Sequence, residues 1–197
     1  MASIRTFIAI ELTAEALAAL EQVQSQLRRS EGGAAGRWVS RESIHLTLKF
    51  LGDVPSERLE EIYQAVARAA AAHAPFVLSV AGAGCFPNPQ RPRVIWAGVR
   101  EETGRLLALQ RAVERELQRL GFPKEERPFT PHLTLARIRE GADPRLVAAL
   151  GQAVAQSQVG EVAQMQVERV SVMRSDLQPS GAVYHELYTT PLGGAQG

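Results

Sequence analysis

Cysteine occurs once in this chain of 197 residues, at Cys85, so no internal disulfide can form, and a lone thiol fits a reducing compartment. Lysine occurs only twice, at Lys49 and Lys124, against twenty arginines. A bias so uniform is a property of overall composition, and no single arginine stands out as a ligand because of it. An excess of charge is missing too. The 22 basic residues face 21 acidic ones, for a net charge of +1, which excludes a broad electrostatic footprint for wrapping long nucleic acid. No apolar run approaches the length of a membrane span. The opening residues carry Arg5 and Glu11 inside a strand-like alternation instead of a signal-peptide core, so the expected location is the cytoplasm, with no membrane contact. What remains is an ordinary globular composition, 45% hydrophobic and 22% charged. The length suffices for one domain with a good core, or for two small lobes sharing one.

Against these absences stands one repeat. The tetrapeptide His-Leu-Thr-Leu runs from His45 to Leu48 and again from His132 to Leu135, 87 residues later. In an extended strand, residues i and i+2 share a face, so each histidine lies beside the hydroxyl of Thr47 or Thr134 while the leucines face the core. Two such strands brought together offer two imidazoles and two hydroxyls and no carboxylate. That set suits acid-base chemistry on a phosphate better than acyl transfer or metal binding. Neither motif supplies a third ligand at zinc-site spacing, so no metal and no cofactor is expected. A single histidine in a half-buried strand is more often structural, and a short repeat can arise by chance. The second copy points to function because its surroundings repeat as well. The other histidines, His73 and His185, have no such context.

The hydrophobic pattern orders the chain. Arg5–Leu12 reads as a strand, and Thr13 caps a helix to about Arg29. Ile44, Leu46, Leu48 and Phe50 alternate with His45, Thr47 and Lys49 in a period of two, and Gly52-Asp53 is expected to end that strand. An alanine-rich helix follows over Glu57–His73. Strands over Phe76–Ala81 and Val94–Val99 flank a proline-rich loop, Cys85–Arg93. A helix over Glu102–Leu120 stops at Gly121. The second motif strand comes next, then a helix opened by Asp143-Pro144 and ending near Gln156. Two strands close the chain, Met165–Arg174 and Val183–Thr189, with a loop over Ser175–Gly181. From each histidine the order is strand, helix, hairpin. The halves look duplicated, and frequent hairpins favour an α+β protein with antiparallel sheets and helices packed outside.

These residues carry a resemblance. Arg5-Thr-Phe-Ile-Ala-Ile10, His45-Leu-Thr-Leu-Lys-Phe-Leu-Gly52 and Pro128-Phe-Thr-Pro-His-Leu-Thr-Leu-Ala-Arg137 closely resemble the two-histidine phosphoesterases. Within them the chain is most similar to the bacterial and archaeal RNA 2′,3′-cyclic phosphodiesterases, long called 2′-5′ RNA ligases. Arg174-Ser175, Leu177, Gly181 and Tyr184 resemble that branch's C-terminal pattern. The resemblance spans nearly all of residues 1–197 as one domain of two pseudo-symmetric lobes. It implies a bilobal duplicated fold in which two antiparallel sheets face each other across a central cleft. It also implies hydrolysis of a terminal 2′,3′-cyclic phosphate to a 2′-phosphomonoester without a metal, with His45 the proton donor and His132 the acceptor. The motifs themselves are symmetric and do not separate those roles. Thr47 and Thr134 would hydrogen-bond the non-bridging oxygens.

Five further residues are candidates for holding the RNA end. Lys49 shares the His45 face by simple alternation, where a solvated strand-end lysine is an equal reading. Arg137 resembles an arginine near the substrate in this family, yet alternation from His132 puts it on the opposite face unless a bulge turns it. Phe7 and Trp38 could stack a base, although strand aromatics are more often core. Tyr184 could bring a hydroxyl to the cleft. The expected partner is an RNA or oligonucleotide end with a cyclic phosphate, and no obligate protein partner is evident. Two other functions stay open: a 2′-5′ ligase using a 5′-hydroxyl in place of water, and a non-catalytic RNA-end binding module.

Overall fold

Thirteen regular elements follow one another in a computed structural model that describes residues 2–178 and 181–193. They are β1 (Ser3–Glu11), α1 (Ala14–Arg28), β2 (Gly36–Trp38), β3 (His45–Pro55), α2 (Leu59–Ala71), β4 (Phe76–Phe86), β5 (Val94–Arg100), α3 (Arg105–Arg119), β6 (His132–Ile138), α4 (Pro144–Gln156), β7 (Glu161–Val167), β8 (Arg169–Gln178) and β9 (Gly181–Pro191). Local chemistry sets the helix starts. The Thr13 side chain accepts from the Ala16 N–H at 3.3 Å, and Asp143 accepts from the Arg145 N–H at 2.8 Å with Pro144 in the first turn. In α2 the residues Ile62, Ala65, Val66, Ala69 and Ala70 form the buried stripe.

All strand pairs are antiparallel, in the order β7-β4-β5-β6-β3-β1-β8-β9, with β2 added to β6. The fold is α+β, as expected, and the strands form one curled nine-stranded sheet whose two halves join where Leu46 of β3 pairs with Leu133 of β6, the one register pair between them among the described residues. One lobe is therefore β7, β4, β5, β6 and β2, and the other is β3, β1, β8 and β9. Leu46 and Leu133 are the second residues of their motifs, so a pseudo-twofold axis runs between them. Helices α1 and α4 pack outside the first lobe, against β7 and β4, while α2 and α3 cover the second, against β8, β9 and β3. The hairpin that follows each motif joins the other motif's lobe: β4–β5 lies beside β6, and β8–β9 beside β1.

Several boundaries differ from the sequence reading, and β4 runs on to Phe86 where a strand ending at Ala81 was expected. The first motif strand runs through Gly52 to Pro55, because Gly52 takes a left-handed φ of 73° at a bulge and pairing with β1 resumes beyond it. The strand expected over Met165–Arg174 is two strands. At Glu168 the chain leaves β7, on one edge of the sheet, and enters β8 in the other lobe. In place of the loop expected over Ser175–Gly181, β8 runs on to Gln178 and β9 begins at Gly181. Residues 179 and 180 of that loop lie outside the described residues.

Each motif strand carries the same bulge. Pairing of β1 with β3 passes from Ile8–Lys49 to Ala9–Thr47, leaving Leu48 extra, and pairing of β5 with β6 passes from Ile95–Ala136 to Trp96–Thr134, leaving Leu135 extra. A bulge interrupts the ladder, and in each case a buried glutamine takes up a carbonyl. From α1, the Gln24 side chain donates to the Leu135 carbonyl at 2.8 Å and to the Val39 carbonyl at 2.9 Å. From α3, Gln110 donates to the Leu48 carbonyl at 3.5 Å. The bulge also moves Lys49 off the His45 face, correcting the expectation from alternation. Lys49 shares the face of core residue Ile8, and its Nζ donates to Glu114 Oε1 at 2.5 Å and to the Pro123 carbonyl at 2.8 Å. Glu114 also accepts the Glu125 N–H at 3.0 Å. The pair thus ties the first motif strand to the segment leading into the second.

Both features make measurable predictions. Leu46→Ala and Leu133→Ala, each removing a fully buried side chain, should destabilise the protein by about 2–5 kcal/mol in urea unfolding, and by similar amounts given their equivalent places. Lys49→Met should cost about 3–5 kcal/mol because it strands the buried Glu114 carboxylate. Lys49→Met with Glu114→Leu should recover part of that loss; a double variant less stable than the single would count against the account.

Candidate active site

His45 and His132 begin the two strands that meet at Leu46–Leu133. Continuing the antiparallel register one residue either way places His45 opposite Thr134 and His132 opposite Thr47. Each imidazole is thus flanked by its own threonine along the strand and by the other motif's threonine across it. All four side chains are half-buried. The rings are held alike. Nδ1 of His132 lies 2.7 Å from the Thr130 carbonyl, and a ring nitrogen of His45 bonds the Ser43 carbonyl, in both cases two residues upstream. A carbonyl only accepts, so each ring must donate an N–H there, which leaves its second nitrogen for other partners. Burial pushes the His45 pKa down to about 4, the Ser43 carbonyl opposes that shift, and charge on the nearby His132 adds to it. His45 therefore rests neutral at pH 7.

Aromatic rings fix both imidazoles from behind and beside. The Phe7 ring lies 4.6 Å from that of His45, and Tyr184 meets His45 edge-on at 4.8 Å and 86°. On the other side Phe86 meets His132 edge-on at 4.9 Å and 89°. Phe86 leans on Trp96 at 5.2 Å, and Trp96 lies so close over Gly84 that a Cβ there would sit 2.3 Å from the indole. The Trp96 indole N–H is buried without a partner among the described residues, beside Thr134 in the register.

The duplicated bulges decide what else faces the cleft. Val94 and Trp96 share a face of β5, and their partners Arg137 and Thr134 therefore share a face of β6. A bulge thus turns Arg137 to the histidine side. By the same step in β1, the partners of Phe7 and Ala9 are Phe50 and Thr47, so Phe50 joins the cleft. Its ring lies 5.4 Å from Phe7, and the residue is 57% exposed. Phe50 and Arg137 occupy the same position of the two motifs. Sequence alternation missed Phe50 entirely, since it assigned the residue to the core. Of the other expected residues, Tyr184 touches His45 and Phe7. Phe7 is fully buried, packed with Ala9, Met173 and Tyr184, so it forms the floor under His45 and offers no open face for stacking. Lys49 is outside the cleft. Trp38 lies away from the histidines, with its indole N–H on the Gly33 carbonyl at 3.0 Å.

Comparison with known proteins matches this duplicated site. The model of the LigT-like phosphoesterases matches twice, over residues 10–96 and 98–184. The RNA 2′,3′-cyclic phosphodiesterase of Methanothermobacter thermautotrophicus is 35% identical over 184 residues, 93% of this chain and 96% of its own. That of Thermotoga maritima is 36% identical over 186 residues, 93% of each chain. Among solved structures, TT0787 of Thermus thermophilus superposes with a TM-score of 0.80 at 31% identity, covering 97% of this chain and 99% of its own. LigT of E. coli in complex with 3′-AMP superposes with a TM-score of 0.76 at 26% identity, covering 97% and 99%. With both of its halves matched, the chain belongs to the LigT-like phosphoesterase family.

Proposed function

We propose that this protein hydrolyses the 2′,3′-cyclic phosphate at an RNA end to a 2′-phosphomonoester, with His45 and His132 as its acid-base pair. The observation that carries the reading is the pairing of the two motifs at Leu46–Leu133, which sets each histidine opposite the other motif's threonine. Relatives covering nearly the whole chain with the same named activity support it. In the reaction, water attacks phosphorus and the bond to O3′ breaks. One imidazole takes the proton from water, and the other gives a proton to the departing O3′. Following the family, His132 is the acceptor and His45 the donor. His45 rests neutral, so it takes up its proton with the substrate: the anionic diester opposes the effect of burial and raises the His45 pKa. Thr47 and Thr134 donate to the non-bridging oxygens, where phosphoryl transfer is chiefly stabilised.

Phe50 and Arg137, equivalent by the pseudo-twofold axis, flank the terminal base from the two lobes, one by stacking and one by its guanidinium plane. Tyr184 and Phe7 hold His45 from behind. The four motif side chains supply every proton transfer and hydrogen bond of this scheme, so it is written without a metal, and the single cysteine fits work in the cytoplasm.

The test is an oligoribonucleotide ending in a 2′,3′-cyclic phosphate, offered with and without a 5′-hydroxyl acceptor and with chelator present. The expected product is the 2′-phosphate in every arm. A 2′-5′ linkage as the main product would favour ligation, and binding without turnover would leave only an RNA-end binding module. His45→Ala and His132→Ala should each lower kcat by about 10²–10⁴-fold. The double variant should be little worse than either single one, and Thr47→Ala or Thr134→Ala should cost less. The profile of kcat/KM against pH should carry a limb near pH 4, from His45 of the free enzyme. That limb should be absent from the residual activity of His45→Ala and should lie higher in kcat. Near-wild-type hydrolysis by either histidine variant would overturn the proposal.

A further inference from the structure

The edge strand β2 carries an arginine-rich surface that the hydrolysis of a single terminal phosphate does not use. Arg28, Arg37, Trp38 and Arg139 line a shallow recess of about 660 Å³ with Gly33, Ala34 and Gly36. The three arginines are exposed, and among the described residues none has a carboxylate partner within ion-pair distance. Arg28 lies over the Trp38 ring at 5.5 Å from its centroid. The exposed acidic residues nearest in sequence are Glu31 and Glu140. In a chain whose net charge is only +1, such a cluster is a local departure from balance.

Its position relates it to the cleft. Arg37 pairs with Arg137 in the β2–β6 register, so the two point to one face, and that is the face of Thr134 and His132. A file of His132, Thr134, Arg137 and Arg37 therefore runs from the imidazole to the sheet edge, over roughly 15 Å of strand. Arg139 continues it just past the end of β6, where its N–H bonds the Ala35 carbonyl at 2.9 Å. A cyclic phosphate occurs at the 3′ terminus of an RNA, so the remaining chain leaves the site only on the 5′ side of that nucleotide.

We propose that this edge is a binding site for the RNA 5′ of the terminal nucleotide, with Arg37 and Arg139 on the cleft face and Arg28 on the far wall of the recess as its phosphate ligands. The inference rests on the hydrolase reading above and adds to it the substrate class: single-stranded oligoribonucleotides in preference to cyclic mononucleotides. Guanidinium forks suit phosphate oxygens, and single strands bind by such electrostatics together with base stacking.

The experiment compares a 2′,3′-cyclic mononucleotide with a single-stranded 12-mer ending in the same group, for the wild type and for the triple variant Arg28→Ala, Arg37→Ala, Arg139→Ala. The wild type should show a lower KM for the 12-mer. The variant should lose about tenfold in kcat/KM on the 12-mer while its mononucleotide kcat/KM stays within about twofold. With three phosphate contacts gone, the slope of log(kcat/KM) against log salt on the 12-mer should flatten by about 2. Equal KM for both substrates in the wild type, or equal losses on both in the variant, would overturn the proposal. Direct binding of a fluorescent 12-mer bearing a 3′-phosphate decides the matter even without turnover. If neither substrate is hydrolysed but the variant binds the 12-mer about tenfold more weakly, the hydrolase reading falls and the RNA site stands.

Discussion

Backbone pairing between Leu46 and Leu133 is the contact on which the rest of the architecture depends. Each leucine is fully buried, and each is preceded by a histidine and followed by a threonine of the candidate site. Because an antiparallel pair between equivalent residues generates a twofold relation, one contact places two histidines, two threonines and two bulges symmetrically. A slip of one residue would turn the imidazoles toward the helices and the leucines toward water. The hydrophobic demand of the core therefore enforces the register of the candidate site, without any direct bond between the two imidazoles.

Symmetry in the backbone does not extend to electrostatics. His45 packs between Phe7 and Tyr184 and is held neutral, while His132 meets one ring edge, from Phe86. Two identical tetrapeptides thus come to sit in different surroundings, set by the side chains packed against them. The aromatic side chains responsible come from β1 and β9 in one lobe and from β4 in the other.

Much of this was legible beforehand. The periodicity around His45 and His132, the helix caps at Thr13 and Asp143, and the repeated strand-helix-hairpin order all act within a few residues, and they led to the α+β architecture and to the two motifs. Lys49, Phe50 and Arg137 were harder, because their orientation depends on bulges at Leu48 and Leu135. A period of two has no way to show an extra residue. A signal did exist on the helices: Gln24 falls on the stripe of Leu20 and Leu27, and Gln110 on that of Leu106 and Val113. An amide on an apolar stripe needs a buried partner, and here that partner is the bulge. The break at Glu168 lacks any glycine or proline, so the passage between lobes was invisible locally.

The exchange of hairpins has a consequence for how the halves coexist. The lobe bearing the first motif is completed by strands that follow the second, and the reverse holds for β4. Neither half of the chain owns a finished sheet, and a polypeptide ending in the loop before β5 would carry bare strand edges on two separate surfaces. Those edges match the ones left open on the remaining segment. The two halves of the chain therefore complete each other's sheet, and neither motif strand has both of its edges paired without strands from the other half.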